Sequence, residues 1–314
     1  GSITSSDCIV ADIGHIVENP ASSEQTPCEA GYYQPATGQI FCLEALSGSY
    51  VSDIGANAVE NCSPGNYQPE KGQSECLEAD AGHYVSAPRA SSQTPCAAGS
   101  YQSETGAISC IYSDVGYHVP TEGQSMPVIC PAGQYQPQPA SSECFTTNPG
   151  TYSSPGSTSP SPCLAGSYQS ESGQSGCTLA DPGYFSDGIS SIAQVACEEG
   201  TYQSLSGQDS CQSADRGYYV DTSTATEQLP CYPGSYQSSM ESTSCVLASE
   251  GYFVSDAGMS SQTRCPSGES QPNIGQTECI IDPKESNSMI LIAGGVGALI
   301  LVGLAVLKRP GSKP

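Results

Sequence analysis

"CAAGSYQSETGAISC", residues 96–110, returns as "CLAGSYQSESGQSGC" at 163–177 and as "CEEGTYQSLSGQDSC" at 197–211. The cysteines, the Gly-x-Tyr-Gln and a second glycine keep their places in all three, so one structural unit is written repeatedly. All 17 cysteines follow the same ruler: from Cys8 to Cys279 the intervals alternate 20 and 14, with a single 19 between Cys144 and Cys163. A 34-residue period predicts a repeat array whose units contact their neighbours, not a globular domain with one core. Glycines from Gly14 to Gly268 stand 17 apart, except for one step of 16 into Gly166, so the true unit is a half-repeat. Odd halves read Gly-x-Tyr-Gln, as at Tyr33-Gln34, Tyr101-Gln102 and Tyr236-Gln237, while even halves put Tyr50, Tyr84, Tyr152, Phe185, Tyr219 or Phe253 at the place of that tyrosine.

Composition says what must hold such a unit together. The chain has no Trp, four Phe, 34 Gly and 24 Pro in 314 residues. Ahead of residue 288 lie all 32 acids against five bases (Lys71, Arg89, Arg216, Arg264, Lys284), a net charge of −27. A reduced chain of this kind is expected to stay disordered. Evenly placed cysteines supply the substitute for a core as disulfides, which form in an oxidising compartment. Structural zinc is the competing use of cysteine, but it takes ligand pairs two to four residues apart, and no C-x2-C occurs.

Two pairings fit the alternation. Short loops join Cys28 to Cys42, Cys62 to Cys76, Cys96 to Cys110, Cys130 to Cys144, Cys163 to Cys177, Cys197 to Cys211, Cys231 to Cys245 and Cys265 to Cys279, leaving Cys8 unpaired with its partner expected upstream. Long loops join Cys8 to Cys28, Cys42 to Cys62 and so on, and strand Cys279. The short loops are preferred, because they close the last unit, and each such bond is worth roughly 3 kcal/mol.

Residues 1–27 read as an incomplete leading repeat, since "CIVADIGHIV" at 8–17 matches "CLEADAGHYV" at 76–85. Residues 28–280 hold seven full repeats and a closing half, and 281–288 a juxtamembrane linker. Dense turn residues and short apolar runs predict small irregular β-hairpins and exclude long helices. The exception is "MILIAGGVGALILVGLAVL", 289–307, uncharged over 19 residues and long enough for a transmembrane helix. Lys308, Arg309 and Lys313 in the 308–314 tail place that end in the cytoplasm and the repeats outside the cell. The expected fold class is therefore an elongated tandem array of small disulfide-rich repeats, each of short irregular β-hairpins, with one transmembrane α-helix.

The pattern C-x2-G-x-Y-Q-x3-G-Q-x2-C, followed by a second G-x-aromatic half, resembles the ephrin-receptor-like cysteine-rich repeat over about residues 8–280. That family usually shows C-x2-C-x2-G-x-Y at each junction; here one cysteine of each pair is replaced, as in "CLEADAGHY" (76–84) and "SQTPCAAGSY" (92–101). The resemblance implies an extracellular disulfide module, used as a spacer or as a binding surface. Tandem use above a membrane helix is similar to microbial surface proteins.

Little else in the chain speaks for chemistry. Asp12, Asp80, Asp114, Asn148, Asp181 and Asp215 each stand two places before an even-half glycine, where Asx-turns are expected. Calcium between units is the sharper alternative for Asp80, Asp114, Asp181 and Asp215, although no D-x-D-x-D-G loop accompanies them. His15, His83 and His118 read as substitutions within a repeat, and no Ser/His/Asp arrangement, G-x-S-x-G elbow or phosphate loop is present. The tyrosines are expected to be the main apolar group of each half. Asn61-Cys62-Ser63 is the one N-x-S/T sequon, with a bonded cysteine at its centre.

These observations predict no enzyme, no resident metal and no cofactor, and the acidic repeats argue against nucleic acid. The expected protein is a single-pass cell-membrane protein, its extracellular stalk serving adhesion, spacing or envelope structure. The alternative is a receptor ectodomain for an extracellular protein or glycan that signals through a partner, because "KRPGSKP" holds no signalling domain. Self-association is left open.

Overall fold

The computed structural model describes residues 9–19 and 22–281. Cys8, most of the juxtamembrane linker, the 289–307 span and the tail lie outside the described residues. Among the described residues, no helix is long and apolar enough to cross a membrane.

Among the described residues the secondary structure is sixteen antiparallel pairs of two-residue strands. Tyr32–Tyr33 pairs with Leu43–Glu44, Ser49–Tyr50 with Glu60–Asn61, and Asn66–Tyr67 with Leu77–Glu78. Every half-repeat is thus one hairpin. Its first strand begins in a turn centred on the repeat glycine: the Tyr32 N–H donates to the Glu29 carbonyl across Gly31 (φ 90°), and the His83 N–H to the Asp80 carbonyl across Gly82 (φ 85°). A turn with positive φ at its third residue selects glycine, which accounts for the 17-residue ruler.

Pairs this short do not stand alone in water. They are held by backbone bonds to the next half. The Gly31 N–H donates to the Val51 carbonyl (2.8 Å), the Gln34 N–H to the Ala56 carbonyl (3.0 Å), and the Gly55 N–H returns to the Cys28 carbonyl (2.8 Å). Seventeen residues on, Gly48 bonds Gln68, Val51 bonds Gln73, and Gly72 returns to Ala45.

The described residues divide into two units that interleave in sequence, the first running through Cys197 and including Gln203–Cys211, the second comprising Glu198–Tyr202 and the residues from Gln212 on. Within the second unit the same register recurs, Gly200 to Val220, Gly217 to Gln237 and Gly234 to Val254, each at 2.8 Å.

The repeat glycine also meets the half two steps further on. A Cβ at Gly31 would overlap the Gly72 carbonyl oxygen, and one at Gly99 the Ala140 carbonyl oxygen. The position that offers that oxygen also has positive φ and is usually glycine. Arg89, Ala140, Ser190, Thr224 and Glu241 occupy it in the remaining repeats, with φ of 57–61°.

Such close backbone approach leaves a narrow interior. Its buried side chains come mainly from two positions per half. Three places before the glycine stand Cys28, Cys62, Cys96, Cys130, Cys163, Cys197 and Cys231 in odd halves, and small residues such as Ala45, Ala79, Ala180, Ala214 and Ala248 in even ones. Three places after it stand glutamine in odd halves and Val51, Val85, Val119, Val220 or Val254 in even ones. No tyrosine is buried; the rings are half-buried or exposed, which corrects the expectation that they form the main apolar group. The interior has room for a sulfur, a methyl, an isopropyl or an extended amide, and the rings lie outside it.

Gly99→Ala should lower the local stability of its repeat by at least about 2 kcal/mol, through positive φ and the clash with Ala140 together. Thr224→Gly should raise that of its own repeat by up to about 1 kcal/mol, because a β-branched residue leaves the left-handed region. Native-state hydrogen exchange of the amides bonded to the neighbouring halves measures both.

Candidate functional site

The recurring chemical feature of each repeat is its staple. The structure joins Cys28 to Cys42, Cys62 to Cys76, Cys96 to Cys110, Cys130 to Cys144, Cys163 to Cys177, Cys197 to Cys211, Cys231 to Cys245 and Cys265 to Cys279, with Cα–Cα distances of 5.7–5.9 Å. Each bridge therefore closes one odd hairpin. In all but the last, the first cysteine is buried, while in every pair the second is half-buried at the rim.

Beside each staple a buried glutamine spans the hairpin loop. Gln203 Nε2 donates to the Ser210 carbonyl (2.8 Å), and its Oε1 accepts from the Leu205 N–H (3.1 Å). Gln34, Gln68, Gln102, Gln136, Gln169, Gln237 and Gln271 do the same in their halves. The Tyr-Gln of the repeat is conspicuous in the sequence for its tyrosine, but the glutamine is the residue that organises the loop.

Even halves lack the disulfide, and four of them carry a non-covalent counterpart. Gln93 Nε2 donates to Asp80 Oδ2 (2.6 Å), while Gln93 Oε1 accepts from the Asp80 N–H (2.6 Å). The same two-bond clasp joins Asp12 to Gln25, Asp181 to Gln194 and Asp215 to Gln228. Gln262 makes half of it, accepting from the Ser249 N–H. These glutamines stand where the odd halves have their second cysteine. Cysteine spacing does not show this clasp; its signal in the sequence is the constant separation of 13 between Asp and Gln.

The clasp gives three of the four aspartates weighed for calcium, Asp80, Asp181 and Asp215, a partner within their own half. Asp114 has Pro127 at the glutamine position, and its carbonyl accepts the turn bond from the Tyr117 N–H. The histidines have separate neighbours: His15 Nδ1 lies 3.2 Å from the Ile13 carbonyl, His83 Nδ1 3.5 Å from that of Ala81, and His118 Nδ1 3.1 Å from Cys144 Sγ. Among the described residues, His118, Cys130 and Cys144 are the one group of three side chains whose ligand-type atoms lie close enough to share a metal ion.

Where an even half meets the next odd half, the even-half aromatic and the rim cysteine border a shallow cleft. It measures about 470 Å³ beside Tyr84, Cys110 and Tyr112, about 350 Å³ beside Tyr219, Tyr232 and Cys245, and about 300 Å³ beside Tyr50 and Cys76. Tyr112 and Tyr232 are each 71 % exposed, so a ring stands at the rim of two of these clefts. Tyr50 donates its hydroxyl to Glu60 Oε2 (2.7 Å), and that bond, aided by partial burial and the carboxylate's charge, raises the tyrosine above its ordinary pKa. Asn61 of the sequon is exposed, while the Cys62 that follows it is buried and bonded to Cys76.

No family model matches the chain, and comparison with curated proteins finds no match either.

The two kinds of glutamine should differ in their contribution. Gln203→Leu removes a buried amide that holds both the Ser210 carbonyl and the Leu205 N–H, and is expected to cost its repeat about 2 kcal/mol. Gln93→Leu breaks an exposed clasp and should cost under about 1 kcal/mol. Hydrogen-exchange protection of the corresponding hairpins separates the two.

Proposed function

We propose that the chain is a single-pass cell-surface protein whose repeats form an acidic, disulfide-stapled extracellular stalk for adhesion, spacing or envelope structure. The membrane helix of this reading is the uncharged 289–307 segment, with the repeats outside and the basic tail inside. The likeness of C-x2-G-x-Y-Q to the ephrin-receptor-like repeat supports an extracellular setting.

The observation that carries the reading is that neighbouring halves are joined by backbone bonds of one fixed register. Main-chain stacking leaves the outward side chains free to vary and lets units be added or removed as 34-residue blocks. Eight staples also suit an oxidising exterior, where they persist.

The clefts flanked by Tyr112 and Tyr232 favour a second reading, a receptor ectodomain for a protein or glycan ligand.

Deleting residues 96–129 removes one whole repeat, puts Cys130 in the place of Cys96 and eliminates the cleft beside Tyr112. A stalk so shortened should fold with its remaining disulfides, keep its attachment function in cells and lose maximum dimension in small-angle scattering. Loss of ligand binding with folding intact would instead establish the receptor reading. Free thiols throughout the protein isolated from cells would overturn both.

A further inference from the structure

The position of His118 has a meaning the repeat itself brings out. Two places after each even-half glycine, beside the rim cysteine of the next odd half, the described residues read Ile16, Tyr50, Tyr84, His118, Tyr152, Phe185, Tyr219 and Phe253. Histidine is the one residue of this series that is an ordinary zinc ligand, and its Nδ1 lies 3.1 Å from Cys144 Sγ. The ligand atoms of His118, Cys130 and Cys144 all fall within 4.8 Å of one another. A second peculiarity belongs to the same place. Ser113 and Thr147 hold the buried hydroxyls without a hydrogen-bond partner among the described residues. They occupy, in the halves before and after, the position that Cys130 occupies in its own, where the six other even halves have alanine. The interior is thus more polar around this staple than around the others.

We propose that the Cys130–Cys144 staple is a latent zinc site, which its reduction opens. A dithiol reductant attacks the bridge, the bond between the two Sγ atoms breaks, two electrons and two protons pass to the cysteines, and the reductant closes to its own disulfide. Zn²⁺ then binds both sulfurs as thiolates, releasing those two protons to solvent, and takes His118 as third ligand with water in the fourth place. Zn–S bonds of about 2.3 Å in a tetrahedron hold the sulfurs a little under about 4 Å apart. The Cα–Cα distance of 5.9 Å accommodates that separation by side-chain rotation alone. His118 and Cys144 are half-buried, which leaves the water its access. The other staples have no third ligand at this position, so once reduced this hairpin alone can stay closed by metal. The spacing rule applied to the sequence missed the site because its ligands come from different hairpins, 12 and 14 residues apart.

The test treats the full chain with a limiting dithiol, removes the dithiol, adds Zn²⁺ and alkylates the free thiols for peptide mapping. Zinc should protect Cys130 and Cys144 from alkylation while reduced cysteines of other staples react, and Co²⁺ in its place should give a thiolate charge-transfer band. His118→Tyr restores the residue type of the equivalent positions and keeps the fold, and it should weaken Zn²⁺ binding at least about tenfold. Equal zinc affinity in wild type and His118→Tyr, or alkylation of Cys130 and Cys144 at the same rate with and without zinc, overturns the proposal.

Discussion

Everything in this chain depends on how closely one backbone approaches another at the repeat glycine. The left-handed turn there places an N–H against the next half and brings the Cα under a carbonyl two halves on, with no space for even a methyl group. That one contact sets the 17-residue ruler, the register of the backbone bonds and the narrowness of the interior. The interior in turn dictates which side chains fit: cysteine or alanine on one side of the turn, glutamine or valine on the other. Apolar residues such as Ile54, Ile189 and Leu205 are consequently left on the surface without loss, because the fold never relied on burying them.

Two solutions to one problem alternate along the chain. A nine-residue loop between two-residue strands needs a tie across its base. Odd halves supply it covalently with a disulfide and brace it with a buried glutamine; four even halves supply it with a paired Asp and Gln. The covalent tie restricts the unfolded chain, whereas the amide clasp acts only in the folded one. The bridges consequently do more for the persistence of the array than for its geometry, which both kinds of half share.

Much of this was legible in the sequence. The ruler, the hairpins and the need for staples follow from spacing and composition, since a chain so poor in apolar mass leaves few other ways to order itself. The choice between short and long loops was not contained in the alternation, which fits both; it depends on which cysteines share a hairpin. The role of the glutamines was hidden because glutamine is ordinarily a solvent-facing residue, and here eight of them lie within a backbone cage. The tyrosines misled for the opposite reason: aromatic rings normally fill cores, but this interior is too thin for a ring. The neighbourhood of His118 needs contacts between halves, which no local window of sequence displays.

The alternation of covalent and amide ties has a mechanical consequence. Under tension a short-loop disulfide carries load directly across its hairpin, so the residues it encloses add nothing to the extension. What can pay out is the stretch from one staple to the next, such as Cys42 to Cys62, worth about 70 Å of contour. Each 34-residue block thus behaves as a shock absorber with a fixed stop, yielding in its half without a disulfide and locking at its sulfur.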